Sequence, residues 1–572
     1  MQRIRWSLVL LIAVAVPIAA QQKKAATTTQ SAIPAAVARS LDDFNPDAIK
    51  AHTAFLSGDL LEGRGPGTRG DAIATSYIAA QFSIMGLEPN GDNGTYYQKV
   101  SLMGVAPVPE QSSVSFVKDG GQTIGPLKFL EDWVGGDQTQ KDANTLDSEI
   151  VFVGHGVVAP EYKWDDYKGM DVRGKTIVML VVDPPASAAE PDLFRGRART
   201  YYGRWTYKYE TGTAKGAEAV ILVHTKEAAG YDWPVVRSGW GRERSYTKNL
   251  PGQNALELAS WISKPTADKL FAAAGLNLDE LTKAAASRDF KPVSLGGYRL
   301  RGNIASKVRS FDTNNVVARL PGSDPKLKDE AVLYTAHHDH LGIGEPDEDD
   351  PNDRIYNGAI DNASGTALLI DLAHVWRQAS PKPKRSIIFA AVAAEEQGLL
   401  GSAWYGRTPT IPSGRIAINI NMDSIYEFGK VRDVTMLGVE KMSFYPTAQR
   451  VTKALGLTIV PDQDPEQGFY YRSDHFSLAK TGVPAFSIDQ GHDIIGKPEG
   501  WGKQKADEYR EKHYHQPSDE MDPSWDWSSA VQMGQLSFWL GYEVANAATM
   551  PNWNAGEEFR GARDRSLAAL PQ

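Results

Sequence analysis

Not one of the 572 residues is a cysteine. That absence excludes a disulfide framework, a thiolate nucleophile, a lipidated cysteine behind an export signal and a Cys-type structural zinc, so any metal must sit on His, Asp and Glu. Basic tracts are missing too. Lys and Arg total 61 against 70 Asp and Glu, a net charge of −9, and no run of them makes a track for phosphates, so nucleic acid is not an expected partner. Beyond the first twenty residues there is no long apolar run, and no stable membrane span is expected after signal removal. What remains, 42% hydrophobic and 23% charged, is the usage of a soluble globular chain rather than a disordered, collagen-like or multi-span one. The length exceeds what one core normally serves and predicts two or three domains.

Arg3 and Arg5 lead an apolar run over residues 6–16, followed by Pro17 and the small pair Ala19 and Ala20. This reads as a secretory signal over 1–20, placing the mature chain in the periplasm or outside the cell. Residues 21–44, rich in Ala, Thr, Gln and Lys, read as a linker. Residues 45–146 carry helical patterns, notably 71–85 closed by Gly86. From 147 to 297 the texture changes to short β-branched runs, EIVFVGHGVV, KTIVMLVV and GAEAVILVH, between Gly, Pro and Tyr-rich turns, which predicts a β-rich insertion. His155 and His224 lie on these runs and are expected to be structural. From 298 to 548 strands and helices alternate, predicting an α/β fold with a mixed, largely parallel sheet flanked by helices, closed by an amphipathic helix over 527–547. Residues 549–572 are left as a tail.

In such sheets ligands bind beyond the carboxyl ends of the strands, and polar clusters stand where apolar runs end. AVLYTAHHDHLG runs into His337, and in a strand-like HxD arrangement Asp339 projects to the same side as His337 and can fix its tautomer. NGAIDNASG places Asp361 before a helix with Asn362 and Ser364 as caps. SIIFAAVAAEE ends in Glu395 and Glu396, adjacent carboxylates that repel unless cations are near. RIAININMDS ends in Asp423, and KHYHQPSDE offers Tyr514, His515 and Asp519 before the last helix. The acidic run 345–353 has no EF-hand spacing and reads as a solvated loop.

The motifs AHHDHLG, GAIDNASG, EEQGLLGSAWY, NMDS, YRSDHFSLAKTGVPAF and YHQPSDE, in this order and spacing, resemble metallopeptidase family 28, the di-zinc aminopeptidases that also include glutamate carboxypeptidase and transferrin-receptor relatives. The resemblance covers about 45–130 and 298–548. The segment 147–297, with DVRGKTIVML, a helix near 207–215 and GAEAVILV in order, resembles the protease-associated (PA) domain that this family often inserts. The resemblance implies one zinc on His337, Asp361 and Asp423 and a second on Asp361, Glu396 and His515, with Asp361 bridging. It implies Glu395 as general base working on a metal-bridging hydroxide, Asp339 behind the first histidine and Tyr514 as a donor to the oxyanion. Three carboxylates and a hydroxide would neutralise two zinc ions. His338 and Ile360 depart from the residues usual at their positions, which leaves the ligand set intact.

The implied activity is removal of N-terminal residues from peptides. A carboxypeptidase or dipeptidase keeps the same metals and reverses the end recognised; no arginine cluster diagnostic of a terminal carboxylate is visible in the sequence. A glutaminyl cyclase relative fits the full ligand set less well, and a receptor-like binding protein is disfavoured because every ligand and Glu395 are present. SDHFS at 473–477 is expected to line the pocket.

Overall fold

The runs SIIFAAV and AVLYTAH lack polar alternation because they form the middle of a sheet covered on both faces. In the computed structural model, which describes residues 33–347 and 350–570, the strands Ser386–Val392, Ala331–His337, Ile416–Met422 and Ala485–Gln490 lie side by side and parallel in that order. The first three are buried along their whole length. The helices Arg69–Ile84, Gly365–Gln378, His475–Lys480 and Ser528–Asn546 pack on this sheet. Trp376 packs at a tilt against Phe538 with ring centroids 4.6 Å apart and donates to the Tyr334 hydroxyl, which in turn donates to Ser537 O at 3.0 Å, so the polar edges of this apolar layer are satisfied.

One strand of 28 residues, Val293–Leu320, joins two sheets. Its residues 316–320 pair antiparallel with Ser386–Val392 and its residues 306–316 with Tyr97–Pro107. Its earlier residues pair with Ser113–Lys118 and Ala143–Phe152. From there a second sheet continues in parallel through Thr176–Leu180, Ala219–His224 and Leu258–Ser263 and ends on the antiparallel strand Trp133–Gly136. This sheet has its own core, including Phe152, Ile221, Ile262 and Phe271, and carries helices such as Trp205–Ala214 and Lys264–Ala273. Residues 113–142, grouped by texture with the first part of the main fold, therefore pair in the second sheet. His155 and His224 are buried, each against a backbone carbonyl, Val182 O at 3.1 Å and Tyr231 O at 3.0 Å.

Two segments set aside in the sequence are folded. Within the expected linker, Val37, Leu41 and Phe44 recur at helical spacing; Ala35–Leu41 is a helix and all three side chains enter the main core. Within the expected tail, Arg560–Ala568 is a helix. There Arg563 donates to Ser413 O and Ile416 O and Trp553 to Gly482 O at 3.0 Å, which ties the tail to the sheet. The expected signal at 1–20 lies outside the described residues. Among the described residues no helix is long and apolar enough to cross a membrane.

Glu427 is buried, accepts from Ser529 Oγ at 2.6 Å, and is pushed up from 4.5 to about 8, chiefly by burial. The folded chain thus holds a proton that the unfolded chain releases between those values, so this group lowers stability as pH rises across that window. Glu427→Gln should raise the thermal midpoint at about pH 8 relative to about pH 5, by an effect on the order of a few kcal/mol; melting curves of both proteins across pH check it.

Candidate metal centre

The carboxyl ends of the parallel strands supply the first half of the site. His337 is the last residue of its strand, Asp423 directly follows Ile416–Met422, and Glu395 and Glu396 follow Ser386–Val392 after two alanines. Asp361 comes from the turn before Gly365–Gln378 and His515 from the loop after Trp501–Lys512. All five residues expected as ligands meet. His337 Nε2 lies 3.2 Å from Asp361 Oδ1 and 3.3 Å from Asp423 Oδ1. His515 Nε2 lies 3.3 Å from Asp361 Oδ2 and 3.0 Å from Glu396 Oε2. Asp361 thus turns one oxygen to each histidine, so the cluster divides into two half-sites that share it.

The donor set is one that a hard-to-borderline divalent cation takes: imidazole nitrogens and carboxylate oxygens. Ligand atoms of His337, Asp361 and Glu396 lie within 4.8 Å of one another. Glu396 Oε1 and His515 Nε2 are buried without hydrogen-bond partners, a costly state for polar atoms in protein interior unless another group binds them. Burial, with Glu396, Asp423 and Asp474 adding to it, holds the Glu395 carboxyl well above the usual range. Burial works against a charged His337, yet Asp423 and Glu395 outweigh it and hold that imidazole well above its ordinary value. Carboxylates crowded this tightly around two histidines call for cations, and the residues fit the metal pair the ligand set implies.

A second layer fixes these side chains. The Asp339 carboxylate accepts from the backbone N–H of Glu395 at 3.0 Å and of Glu396 at 3.4 Å. His337 Nδ1 is 3.3 Å from the Asp339 carbonyl oxygen and 3.9 Å from its carboxylate, so Asp339 orients the glutamate pair more directly than the imidazole it was expected to orient. Asp519 accepts from Ile360 N at 3.0 Å, from Asp361 N at 3.1 Å and from the Tyr509 hydroxyl at 3.0 Å, clamping the Asp361 turn. Asn362 accepts from Gly365 N and Ser424 N and donates to Met422 O, joining the Asp361 turn to the Asp423 loop. Ser473, in the SDHFS motif, donates to Asp423 Oδ2 at 2.5 Å. Tyr514 stacks on His515 with ring centroids 3.8 Å apart and is 44% exposed. What burial it has, together with Asp361 and Glu396, pushes its hydroxyl up, so it stays protonated and able to donate.

Ala394, Ser424 and His515 have φ of 54, 59 and 61°. Non-glycine residues rarely take this left-handed region, and three of them at or beside the expected ligands and Glu395 is strain where function concentrates it.

Several neighbours have no role in the sequence reading. His340 is buried with its Nδ1 2.7 Å from Glu396 Oε1 but off the hydrogen-bond direction, since neither ring nitrogen has a partner. The dense HHDH run was its only signal. Buried Arg64 donates to the carbonyls of His338, Asn357 and Gly358 at 2.6 to 2.9 Å and to that of Leu56. His338 faces away from the cluster and pairs with Asp71 at 3.1 Å. Gly358, at φ 56°, would place a Cβ 2.2 Å from Asp361 O and 2.5 Å from His340 Cγ. Gly358→Ala should therefore distort the Asp361 turn and cost at least about 2 kcal/mol, read as a lower thermal midpoint and a reduced zinc content.

Residues 315–539 match the model of peptidase family M28. A probable zinc metalloprotease of Pyricularia oryzae is 36% identical over 137 residues, 23% of this chain and 25% of that protein; the chain spans about a quarter of the length of the zinc metalloproteases it matches. Leupeptin-inactivating enzyme 1 of Streptomyces exfoliatus is 25% identical over 211 residues, 36% of this chain and 43% of that one. Among solved structures, an aminopeptidase from Aneurinibacillus sp. strain AM-1 superposes with a TM-score of 0.47 at 17% identity, covering 90% of this chain and 97% of its own. The five converging side chains all fall within the segment, residues 315–539, that matches the model of peptidase family M28.

Proposed function

We propose that this protein is an exported metallo-exopeptidase that holds two zinc ions and removes N-terminal residues from peptides. The observation that carries the reading is Asp361, whose two oxygens address the two histidine half-sites separately. His337, Asp361 and Asp423 would hold one ion, and Asp361, Glu396 and His515 the other. When bound, such a pair polarises the scissile carbonyl and acidifies the attacking water. Glu395, directly before Glu396 and fixed by Asp339, accepts the water's proton on its carboxylate and delivers it to the leaving amine. The Tyr514 hydroxyl donates to the oxygen that gains charge. Ser473 and Asp519 hold Asp423 and the Asp361 turn in place through the reaction.

Export rests on the signal pattern at 1–20, and the segment 147–297 is proposed as a protease-associated insertion on its motif order. A panel of peptides with free N-termini, acetylated N-termini or amidated C-termini, assayed with and without chelator, tests the activity. Release of N-terminal residues only from peptides with a free amino end is expected. Equal cleavage of acetylated peptides would remove the aminopeptidase reading.

A further inference from the structure

Beyond residue 539, where the match to the family model ends, the chain still carries buried charge, which a loose tail would not. Residues 552–554 lie beside residues 440–443: Ser443 N donates to Asn552 O at 2.9 Å, Asn554 N to Lys441 O at 2.9 Å and Asn554 Nδ2 to Glu440 O at 3.0 Å. Phe559 is buried against Tyr470 and Phe476, its ring centroid 6.2 Å from each. Of the two glutamates between these contacts, Glu557 accepts from Arg195 of the second-sheet segment at 2.6 Å, and Glu558 goes into the core.

There Glu558 Oε1 accepts from Lys441 Nζ at 3.0 Å and from the Tyr471 hydroxyl at 2.8 Å. Lys441 Nζ also donates to the Tyr471 hydroxyl oxygen at 3.3 Å, which closes a triangle, and it lies over the Tyr470 ring, 4.0 Å from the centroid. The lysine side chain is 4% exposed and the glutamate 8%, so the pair is inside the protein. Burial, then the Glu558 charge, hold the Tyr471 phenol well above its ordinary value, so it keeps the proton it offers Glu558. A pair so buried adds little net stability over apolar residues of the same size, because desolvating both charges offsets their attraction. What it does supply is direction. The Tyr471 hydroxyl is held, and Tyr471 is the last residue of the turn Phe469–Tyr471. Two residues on, Ser473 donates to Asp423 Oδ2 at 2.5 Å and accepts from Asn421 Nδ2 at 2.8 Å. Asp423 therefore takes its partner from a turn whose near end is tied to the C-terminal segment.

We infer that Glu558 is a positioning residue of the metal centre: through Tyr471 it fixes the turn from which Ser473 holds Asp423, and with it the half-site of His337, Asp361 and Asp423. This rests on the two-ion reading and adds to it a dependence on the C-terminal segment. Residue types in 549–572 give no sign of the tie, because Lys441, Tyr471 and Glu558 meet only in the fold.

The test measures the two zinc dissociation constants of the full chain by competition with a chromophoric chelator, and amide hydrogen exchange over residues 469–476 in the zinc-free protein. Tyr471→Phe keeps the ring and the pair of Lys441 with Glu558 and removes only the hydroxyl. It should weaken one of the two ions by about 10-fold, the lower end for losing a group that orients a ligand, leave the other unchanged and speed exchange over 469–476 by at least about 10-fold. The Lys441→Met, Glu558→Leu double variant removes both charges together, so no lone charge stays inside, and should have the same effect. Lys441→Met, Glu558→Gln restores an oxygen for the Tyr471 hydroxyl and should recover most of the loss. In a Ser473→Ala background, where the link to Asp423 is already cut, Tyr471→Phe should weaken zinc no further, whereas a role in general stability would add to the Ser473→Ala loss. Unchanged zinc constants in Tyr471→Phe overturn the inference, as do equal weakening of both ions and an additive loss in the Ser473→Ala background. If the wild-type chain holds fewer than two ions, the two-ion reading falls and exchange over 469–476 decides alone: its acceleration in Tyr471→Phe leaves the tie standing, and its constancy overturns it.

Discussion

Glu395→Gln is expected to keep both zinc ions and lose turnover by roughly 100- to 10,000-fold, the range of a positioned general base. The amide preserves the size of the side chain and leaves intact the backbone N–H that donates to Asp339, so Glu396 stays where it is. It cannot accept the proton. Because Glu395 is not in either ligand trio, the loss should fall on kcat, with zinc content measured by atomic absorption unchanged. Zinc loss in parallel with activity would make Glu395 a structural support of the site. Normal turnover would take it out of the reaction altogether.

Asp361→Ala should have the larger effect on the metals. Both half-sites use this carboxylate, one oxygen each, so its removal weakens both ions together rather than one. Affinity should fall by more than the ~10- to 100-fold typical of losing a group that merely orients a ligand. Activity should drop to background. The stabilisation by zinc offers a readout independent of turnover. At a free zinc concentration about 100-fold above Kd, each wild-type site adds ~2.7 kcal/mol to folding stability, and the zinc-induced rise in thermal midpoint should collapse in Asp361→Ala. Asp423→Ala should leave part of that rise, since Glu396 and His515 still face Asp361.

The strand-end residues could be read from the sequence because their signal is local. An apolar run that stops at His337, at Glu395 and Glu396 or at Asp423 marks at once a buried strand and the end of it where ligands collect. The parallel order of the central strands follows from the same alternation. Groups that hold the ligands could not be read, because they come from far away. Arg64 reaches carbonyls more than 270 residues distant, and Asp71 meets His338 across 267 positions. Asp519 stood in a recognised motif, yet its grip on Ile360 N and Asp361 N is a backbone contact that residue types do not reveal. The edge of the second sheet escaped for a related reason. Ser113–Lys118 and Trp133–Gly136 are short, and what assigns them is pairing with residues 298–303 and 259–262. The helix Ala35–Leu41 is too short for its periodicity to stand out from the Ala- and Thr-rich stretch before it. Asp339 shows how a spacing rule can find the right residue and only part of its work, since side-chain alternation placed it behind His337 while the fold gives its carboxylate to two backbone amides.

Counting zinc per chain by equilibrium dialysis, alongside peptide hydrolysis as each equivalent is added back to stripped protein, tests most directly whether two ions share Asp361. Two tightly held equivalents are predicted, with no hydrolysis in their absence, and neither held tightly by Asp361→Ala. Saturation at a single equivalent with full activity, or hydrolysis that persists in fully stripped protein, would contradict it.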